Sequence, residues 1–249
     1  MSSLQKVFTI IETIVSRQAT GMTFAEVTAA TGTPKASAHR ILKELVDLGV
    51  LTFAPQTARY RGSFKLANLG CEITANLDLR ALAHSYLQSL HEATHHTVNL
   101  GIRDGDAGVY IDKIETPDYG IKLFSEVGKR FPLYCTAMGK VLLAFGNAEE
   151  CDSYLRRPFE GLTSNTIVDP VLLRMELDRV REAGFALDRE EITRGVMCVA
   201  APILGAQEAV VGAVSIAFPA YIHSDRSIDP EIDAVRRHAA DISGVLVKG

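Results

Sequence analysis

The sequence predicts an α+β protein, in which a small helix-turn-helix unit precedes a larger antiparallel sheet with helices packed against it. Two changes along the chain indicate this division. Apolar residues recur at helical spacing through the first fifty residues, whereas strand-like runs prevail after residue 96. Charge is also divided, since residues 1–66 contain eight Lys/Arg against four Asp/Glu, and the rest contains 18 against 26. A basic N-terminal unit on an acidic body suggests a polyanionic partner for the first unit only.

The composition is typical of a globular protein. The chain has 249 residues, 47% of them hydrophobic and 22% charged, which is enough for one large domain or two ordinary ones. No run of 18 apolar residues appears, and Glu12 and Arg17 interrupt the N-terminal apolar stretch, which argues against a signal peptide. The four cysteines lie far apart. We therefore expect reduced thiols, a cytoplasmic location, no membrane partner and no cofactor.

Two helices are predicted before residue 32. The first runs from about 3 to 18 and is ended by Gly21. Its apolar positions recur every three or four residues and are Leu4, Val7, Phe8, Ile11, Ile14 and Val15. Thr23 and Glu26 have the spacing of a capping box, which predicts a second helix reaching about Thr31.

A third helix follows a glycine turn. Gly32 permits the turn, Thr33 can cap the helix, Pro34 suits its first position, and Gly49 ends it. The helical period places four apolar residues toward the core, namely Ala38, Ile41, Leu42 and Leu45. It points Ala36, Arg40, Lys43 and Asp47 away from the core, with Ser37 and His39 on the flanks.

The segment after this helix predicts a β-hairpin wing that carries Arg59 and Arg61. A helix, a glycine turn and a second helix with basic outward residues form the helix-turn-helix arrangement, whose second helix enters the major groove of DNA. We therefore expect double-stranded operator DNA as a partner. The expected DNA-binding residues are Thr33, Lys35, Ala36, Ser37, His39, Arg40, Lys43, Arg59 and Arg61.

The segment ATGTPKASAHRILKELVDLGVL, residues 30–51, strongly resembles the winged helix-turn-helix of the IclR family of bacterial transcription regulators. That family typically shows Pro-Lys-Ser-Thr, then two residues before Arg-Leu-Leu. Pro34, Lys35, Arg40 and Leu42 match this pattern, while Ala36 and Ser37 stand where Ser and Thr are usual.

The chain after the wing contains a connector and a larger body. Helical spacing over 63–96, with an expected break near 76–78, predicts a linker helix of about 63–75 and another helix of about 79–94. The predicted domains are therefore 1–62 for the winged helix-turn-helix, 63–78 for the linker helix and 79–249 for the body.

Strands and helices mix in the body. A short helix within 130–145, one over 171–183 begun by Asp169 and Pro170, and a terminal helix begun by Asp229 and Pro230 are predicted. The predicted strands are 97–103, 109–115, 120–126, 185–192, 196–204 and 209–218. This order fits an antiparallel sheet with helices packed against it.

Two segments of the body also resemble the IclR family. They are PLYCTAMGKVLLA at 132–144 and GFALDREEITRGVMCVAAPI at 184–203. The resemblance implies a GAF-like antiparallel-sheet sensor domain that binds a small-molecule effector and forms a homodimer or tetramer. Position by position, it implies a pocket floored by the backbone of Ala137, Met138 and Gly139, with Asp188, Cys198 and Ser215 around it.

The predicted pocket suits an acid. Backbone N–H groups where a loop enters a helix at Thr136–Lys140 are unpaired and favour a carboxylate. Met138 stands where the family often has Ser or Ala, and Ala217 where some members that sense small keto acids have Ser, so both residues make the wall more apolar. We therefore expect an aromatic or hydrophobic carboxylate or amide rather than an acid of the size of glyoxylate or pyruvate.

Enzymatic alternatives also arise from the sequence. Residues 91–95 read H-E-A-T-H, so a zinc hydrolase would use His91, Glu92 and His95. No third ligand has a recognisable spacing, and the segment falls at a helix end. A cysteine hydrolase at Cys198 has no histidine nearby in sequence, and a redox switch through Cys71 and Cys135 has no close cysteine pair. We therefore expect no catalytic or metal-binding residues.

Overall fold

The computed structural model describes residues 2–75, 78–116, 125–223 and 226–247. Two compact units, Met1–Asn76 and Leu77–Gly249, each contain their own buried apolar residues. We call them the N-terminal unit and the C-terminal unit. The predicted boundaries at 62/63 and 78/79 stay predictions.

Three helices build most of the N-terminal unit: α1 (Ser3–Val15), α2 (Phe24–Thr31) and α3 (Lys35–Asp47). The predicted capping box of Thr23 and Glu26 is present at the start of α2. The prediction that the first helix reaches residue 18 was wrong, since α1 ends at Val15. Gln18 instead exchanges two hydrogen bonds of 2.8 and 2.9 Å with the backbone of Gly62, which holds the chain after α1 in a turn.

The core of the N-terminal unit confirms the predicted inward face of α3. Ala38, Ile41, Leu42 and Leu45 are all buried. The face predicted for α1 was partly wrong. Ile10 and Ile14 are fully buried, whereas Leu4 and Phe8 are 73% and 63% exposed. Because apolar residues occur on more than one side of α1, helical spacing alone did not identify the buried side.

The wing is a β-hairpin, as predicted. Strands β1 (Met22–Thr23), β2 (Leu51–Ala54) and β3 (Arg59–Gly62) form a three-stranded antiparallel sheet in the order β1-β3-β2. Helix α4 (Phe64–Ala75) follows and matches the predicted linker helix. Residues 76 and 77 of the predicted helix break lie outside the described residues.

One six-stranded antiparallel sheet forms the centre of the C-terminal unit, in the order β6-β5-β4-β9-β8-β7. The strands are β4 (Thr97–Asp104), β5 (Ala107–Ile114), β6 (Arg130–Pro132), β7 (Ala186–Arg189), β8 (Val196–Leu204) and β9 (Val210–Pro219). Strand β6 was not predicted from the sequence, and of the strand predicted at 120–126, residues 120–124 lie outside the described residues.

Helices pack against both faces of this sheet. On one face, α5 (Asp78–Thr94) and α9 (Asp229–Leu246) bury their apolar residues against the side chains of Val98 and Leu100. The other face carries α6 (Ala137–Ala144) and α8 (Pro170–Ala183), while α7 (Ala148–Leu155), which was not predicted, packs beside them. The α+β class and its two-part architecture are therefore confirmed.

Candidate functional site

The outward face of α3 is basic and open to solvent. Lys35, Ala36, His39, Arg40 and Lys43 are exposed, and Ser37 is half-buried. The guanidinium of Arg40 contacts the carboxylate of Glu44 at 3.0 Å, one helical turn later, and both side chains are more than half exposed. Such a surface pair exchanges readily for a phosphate, because exposed ion pairs contribute little to folding.

Thr33 has a structural role that the sequence did not indicate. The prediction that it caps α3 was wrong, since Pro34 is the N-cap residue and no side chain caps the helix. Thr33 is buried, and its hydroxyl accepts a hydrogen bond of 3.0 Å from Thr31. Thr33 therefore fixes the turn between α2 and α3.

The two arginines of the wing contact the loop before α2. Arg59 donates to the carbonyl of Gly21 at 2.8 Å and contacts Glu26 at 3.2 Å. Arg61 donates to the carbonyl of Thr20 at 3.3 Å. Both bonds tie β3 to the turn that precedes α2, so these side chains brace the hairpin.

The C-terminal unit contains a cavity between the sheet and the start of α6, which we call the main cavity. Its empty volume is about 580 Å³, with open space at the mouth included. The lining residues come from five strands, α6 and the loops beside them: Asn99, Tyr110, Ser125, Thr136, Ala137, Met138, Asp188, Ile192, Thr193, Val196, Cys198, Ser215 and Ala217. Five of the six predicted pocket residues are among them, and Gly139 is not.

The start of α6 explains why Ala137 and Met138 line the main cavity and why Gly139 does not. Thr136 is the N-cap residue, and its hydroxyl accepts the N–H of Gly139 at 3.1 Å. The N–H groups of Ala137 and Met138, in the first turn, have no acceptor within the described residues. A β-carbon on Gly139 would lie 2.4 Å from the backbone of Leu133, so glycine permits this close packing. Two donors of the positive helix end therefore remain available at the main cavity.

Asp188 is the most buried acid of the main cavity, with no exposed surface. Its Oδ1 accepts the backbone N–H of Glu191 at 2.7 Å, and its Oδ2 has no partner in the described part of the chain. Burial raises the pKa of Asp188 to about 7. Near neutral pH this carboxyl can therefore either donate or accept a hydrogen bond.

A buried ion pair lies behind Asp188. Lys140 Nζ lies 2.6 Å from Glu191 Oε1 and 3.5 Å from Glu176 Oε1. Burial raises the pKa of Glu191, while the Lys140 ammonium opposes this rise. The pair connects α6 to the segment that directly follows β7, where Glu191 lies between two cavity-lining residues, Asp188 on β7 and Ile192.

Sequence reasoning missed several lining residues, of which Asn99 and Ser125 are polar and buried. Asn99 alone offered a signal, because it is a lone amide among apolar residues in a strand. Tyr110 was also missed, and burial raises the pKa of its hydroxyl, which therefore stays protonated.

The geometry of the other candidate motifs differs from that of a catalytic site. Helix α5 ends at Thr94, and His95 has a left-handed φ of 58°, so His91 and His95 are not on one helical face. The ring of His91 lies 2.8 Å from the carbonyl of His96. Among the described residues, no group of three His, Cys, Asp or Glu side chains could hold a metal ion.

The cysteine thiols are poor nucleophiles. Burial and the Asp188 carboxyl raise the pKa of Cys198 well above its ordinary value, and burial raises the pKa of Cys135 to about 12. Since the thiolate is the reactive form, neither residue suits a hydrolase or a redox switch. The side chain of Cys71 lies outside the described residues.

Comparison with known families decides the identity of the chain. A model of the IclR helix-turn-helix domain matches residues 3–55, and a model described as bacterial transcriptional regulator IclR C-terminal matches residues 71–244. The chain belongs to the IclR family. It is a DNA-binding transcriptional regulator with a C-terminal effector-binding domain and not an enzyme, so the hydrolase alternatives were wrong.

Individual relatives cover nearly the whole chain. The HTH-type transcriptional regulator KdgR of Escherichia coli (strain K12) is 32% identical over 99% of this chain and 93% of its own length. The regulator XynR of the same organism is 33% identical over 87% of this chain and 85% of its own length. Both are transcriptional regulators, as the predicted class requires.

Solved structures share the fold. The crystal structure of the Thermotoga maritima IclR is 32% identical, with a TM-score of 0.78 and 98% of both chains covered. An IclR homologue from Microbacterium hydrocarbonoxydans, complexed with 4-hydroxybenzoate, has a TM-score of 0.84 over 98% of this chain and 99% of its own. At 22% identity, the latter shows likeness of fold alone. Among the described residues, none of the helices has the length and apolarity that a membrane crossing requires.

Proposed function

We propose that the main cavity binds an organic carboxylate or amide, and that this binding controls how tightly the N-terminal unit holds operator DNA. The observation that carries the proposal is the pair of N–H groups of Ala137 and Met138 at the cavity, for which the described residues provide no acceptor. They would receive the carboxylate or the amide carbonyl at the positive end of α6. Ser215 would add a hydroxyl, and Asp188 in its protonated form would tolerate the anion.

The expected effector is aromatic or otherwise hydrophobic. Met138, Ile192, Val196 and Ala217 supply an apolar wall between the polar groups. A methionine thioether adapts to aromatic faces, and each apolar group removed from water adds to affinity. Acids as small as glyoxylate or pyruvate would leave most of this wall without contact.

On the DNA side, the exposed residues of α3 would make the contacts. Lys35, His39, Arg40 and Lys43 would approach phosphates and base edges, together with Ala36 and Ser37 at the start of the helix. We assign Thr33 and Arg59 mainly to bracing the turn and the wing. A homodimer or tetramer in the bacterial cytoplasm would place two such helices on two half-sites of the operator.

Substitution with proline tests the proposed donor of α6. Proline suits the first helical position, and the extended backbone of Thr136 is compatible with a proline after it. Ala137→Pro therefore removes one cavity N–H while α6 persists. Ala148→Pro makes the same change at the first position of α7, away from the main cavity.

The measurement is a thermal-shift screen of the full-length protein with benzoate, phenylacetate, benzamide, glyoxylate and pyruvate, followed by titration calorimetry. We expect an aromatic acid or amide to raise the Tm of the wild type and of Ala148→Pro, and the effect to disappear in Ala137→Pro. Stabilisation by pyruvate and by no aromatic compound would reject the proposed effector class. Undiminished binding in Ala137→Pro would reject the proposed α6 donor.

A further inference from the structure

Two buried polar side chains of the main cavity are not among the groups that the proposed carboxylate site uses. Asn99 and Ser125 are 4% and 6% exposed, and both line the cavity. Asn99 Oδ1 and Ser125 Oγ have no hydrogen-bond partner in the part of the chain that the structure describes. Buried polar atoms are nearly always paired, so two unpaired atoms at one cavity indicate a partner that occupies the cavity.

The fold brings these two residues together through Lys113. Asn99 on β4 is the register partner of Lys113 on β5, so both side chains leave the same face of the sheet. The ammonium of Lys113 donates to the carbonyl of Ser125 at 2.8 Å. Lys113 therefore holds Ser125 on the side of the sheet where Asn99 faces the cavity.

This pair is separate from Asp188. Asn99 lies on β4 and Asp188 on β7, with β9 and β8 between them. Three strand spacings amount to about 14 Å between their backbones. Ser215 on β9 is the register partner of Asn99, and Ala217 and Cys198 lie between Ser215 and Asp188. The main cavity therefore has polar atoms that are unpaired within the described residues at both its β4 end and its β7 end, so a ligand with two polar groups would satisfy both.

The chemistry of Asn99 and Ser125 determines which second polar group a ligand would need. The amide oxygen of Asn99 accepts a hydrogen bond, and a serine hydroxyl both donates and accepts. A hydroxyl is the smallest group that can donate to Asn99 Oδ1 and accept from Ser125 Oγ at once. We propose that Asn99 and Ser125 form a hydroxyl-recognition subsite, so that the effector is a carboxylic acid bearing a hydroxyl group. This inference rests on the proposed carboxylate site at α6.

The test compares acids that differ only in a hydroxyl. Titration calorimetry of the full-length protein would use benzoate with its 3- and 4-hydroxy derivatives, and cyclohexanecarboxylate with its 3- and 4-hydroxy derivatives. The variants are Asn99→Leu, which keeps the side-chain shape and removes its hydrogen bonding, and Ser125→Ala. Ser153→Ala, on the exposed surface of α7, is the matched control for the serine change.

In the wild type and in Ser153→Ala, we expect one hydroxy acid to bind about tenfold more tightly than its parent acid, as one well-placed hydrogen bond allows. In Asn99→Leu and Ser125→Ala, the parent acid should bind as in the wild type while the preference falls to about twofold or less. If the variants lose affinity for the parent acid and for the hydroxy acid by the same factor, the two residues have a structural role and the proposed subsite is wrong.

The remaining outcomes separate the subsite from the carboxylate site. If the parent and hydroxy acids bind the wild type equally, or if the hydroxyl preference survives in both variants, the subsite is wrong while the carboxylate site stands. If no acid of either kind binds the wild type, the carboxylate site fails and the subsite fails with it.

Discussion

Lys140 and Glu191 form an ion pair in the interior of the C-terminal unit, with 2.6 Å between Lys140 Nζ and Glu191 Oε1. The Lys140 side chain is 1% exposed, and that of Glu191 is 5% exposed. Since α6 supplies the lysine and the segment directly after β7 supplies the glutamate, the pair joins α6, which presents Ala137 to the main cavity, to the end of β7, which presents Asp188.

Removal of the lysine should therefore destabilise the protein strongly. Lys140→Met leaves Glu191 buried without its charge partner, and such a change costs about 3–5 kcal/mol. The double variant Lys140→Met/Glu191→Leu removes both charges and should recover a large part of this loss. Urea unfolding of the full-length chain at pH 7 measures both effects, and equal losses in the single and double variants would contradict the ion-pair argument.

A second prediction concerns pH and Asp188. Burial raises its pKa from 3.8 to about 7, so between these values the folded protein keeps a proton that the unfolded chain releases. The contribution of this group to stability is thus fully present below about pH 4 and is lost as the pH rises through about 7. Asp188→Asn cannot lose a proton, so it should stabilise the protein at pH 8 by an amount on the order of 1–4 kcal/mol.

Denaturant unfolding at pH 5, 6, 7 and 8 gives the difference in the free energy of unfolding between Asp188→Asn and the wild type. The stability that Asp188→Asn gains over the wild type should increase across this pH range. Asp178→Asn, an exposed change on α8, serves as the control and should show no such increase. A gain for Asp188→Asn that is the same at pH 5 and pH 8 would show that Asp188 is ionised throughout.

The sequence predicted those features that depend on local rules. Helical spacing identified the buried residues of α3, and capping residues marked the starts of α2 and α8. Family motifs pointed to Asp188, Cys198 and Ser215, all of which line the main cavity. These patterns can be read from the sequence because capping, periodicity and motif spacing involve residues that lie near one another in the chain.

Features that depend on distant contacts could not be predicted. Asn99 and Ser125 face one cavity because β4 and β5 place Lys113 between them, and no local pattern encodes that arrangement. The exposure of Leu4 and the burial of Ile10 depend on which side of α1 the rest of the N-terminal unit covers. Gly139 does not line the main cavity, and its N–H is taken by the hydroxyl of Thr136, a hydrogen bond that only the folded structure reveals.

A third prediction follows from the packing of Gly139. A β-carbon there would lie 2.4 Å from both Cα and the carbonyl oxygen of Leu133, so Gly139→Ala forces the start of α6 away from that backbone. Overpacking of this kind costs about 1–3 kcal/mol. Gly161→Ala is the matched control, because its nearest neighbour would be 3.8 Å away. Thermal unfolding should show a lower Tm for Gly139→Ala only; equal Tm values for the two variants would mean that α6 adapts without strain.

The last prediction concerns the basic face of α3. Arg40 and Lys43 are exposed, and the only ion pair of Arg40 within the described residues is its surface pair with Glu44. Arg40→Ala/Lys43→Ala should therefore leave the Tm nearly unchanged. It should weaken binding to DNA from upstream of the protein's own gene, and lower the slope of log Kd against log salt by about one for each phosphate that is no longer neutralised.

Arg156→Ala/Arg237→Ala removes the same charge from exposed positions of the C-terminal unit and controls for net charge. Gel-shift titrations at several salt concentrations decide the matter, since equal affinities and slopes for the two double variants would place the DNA-binding surface elsewhere than α3.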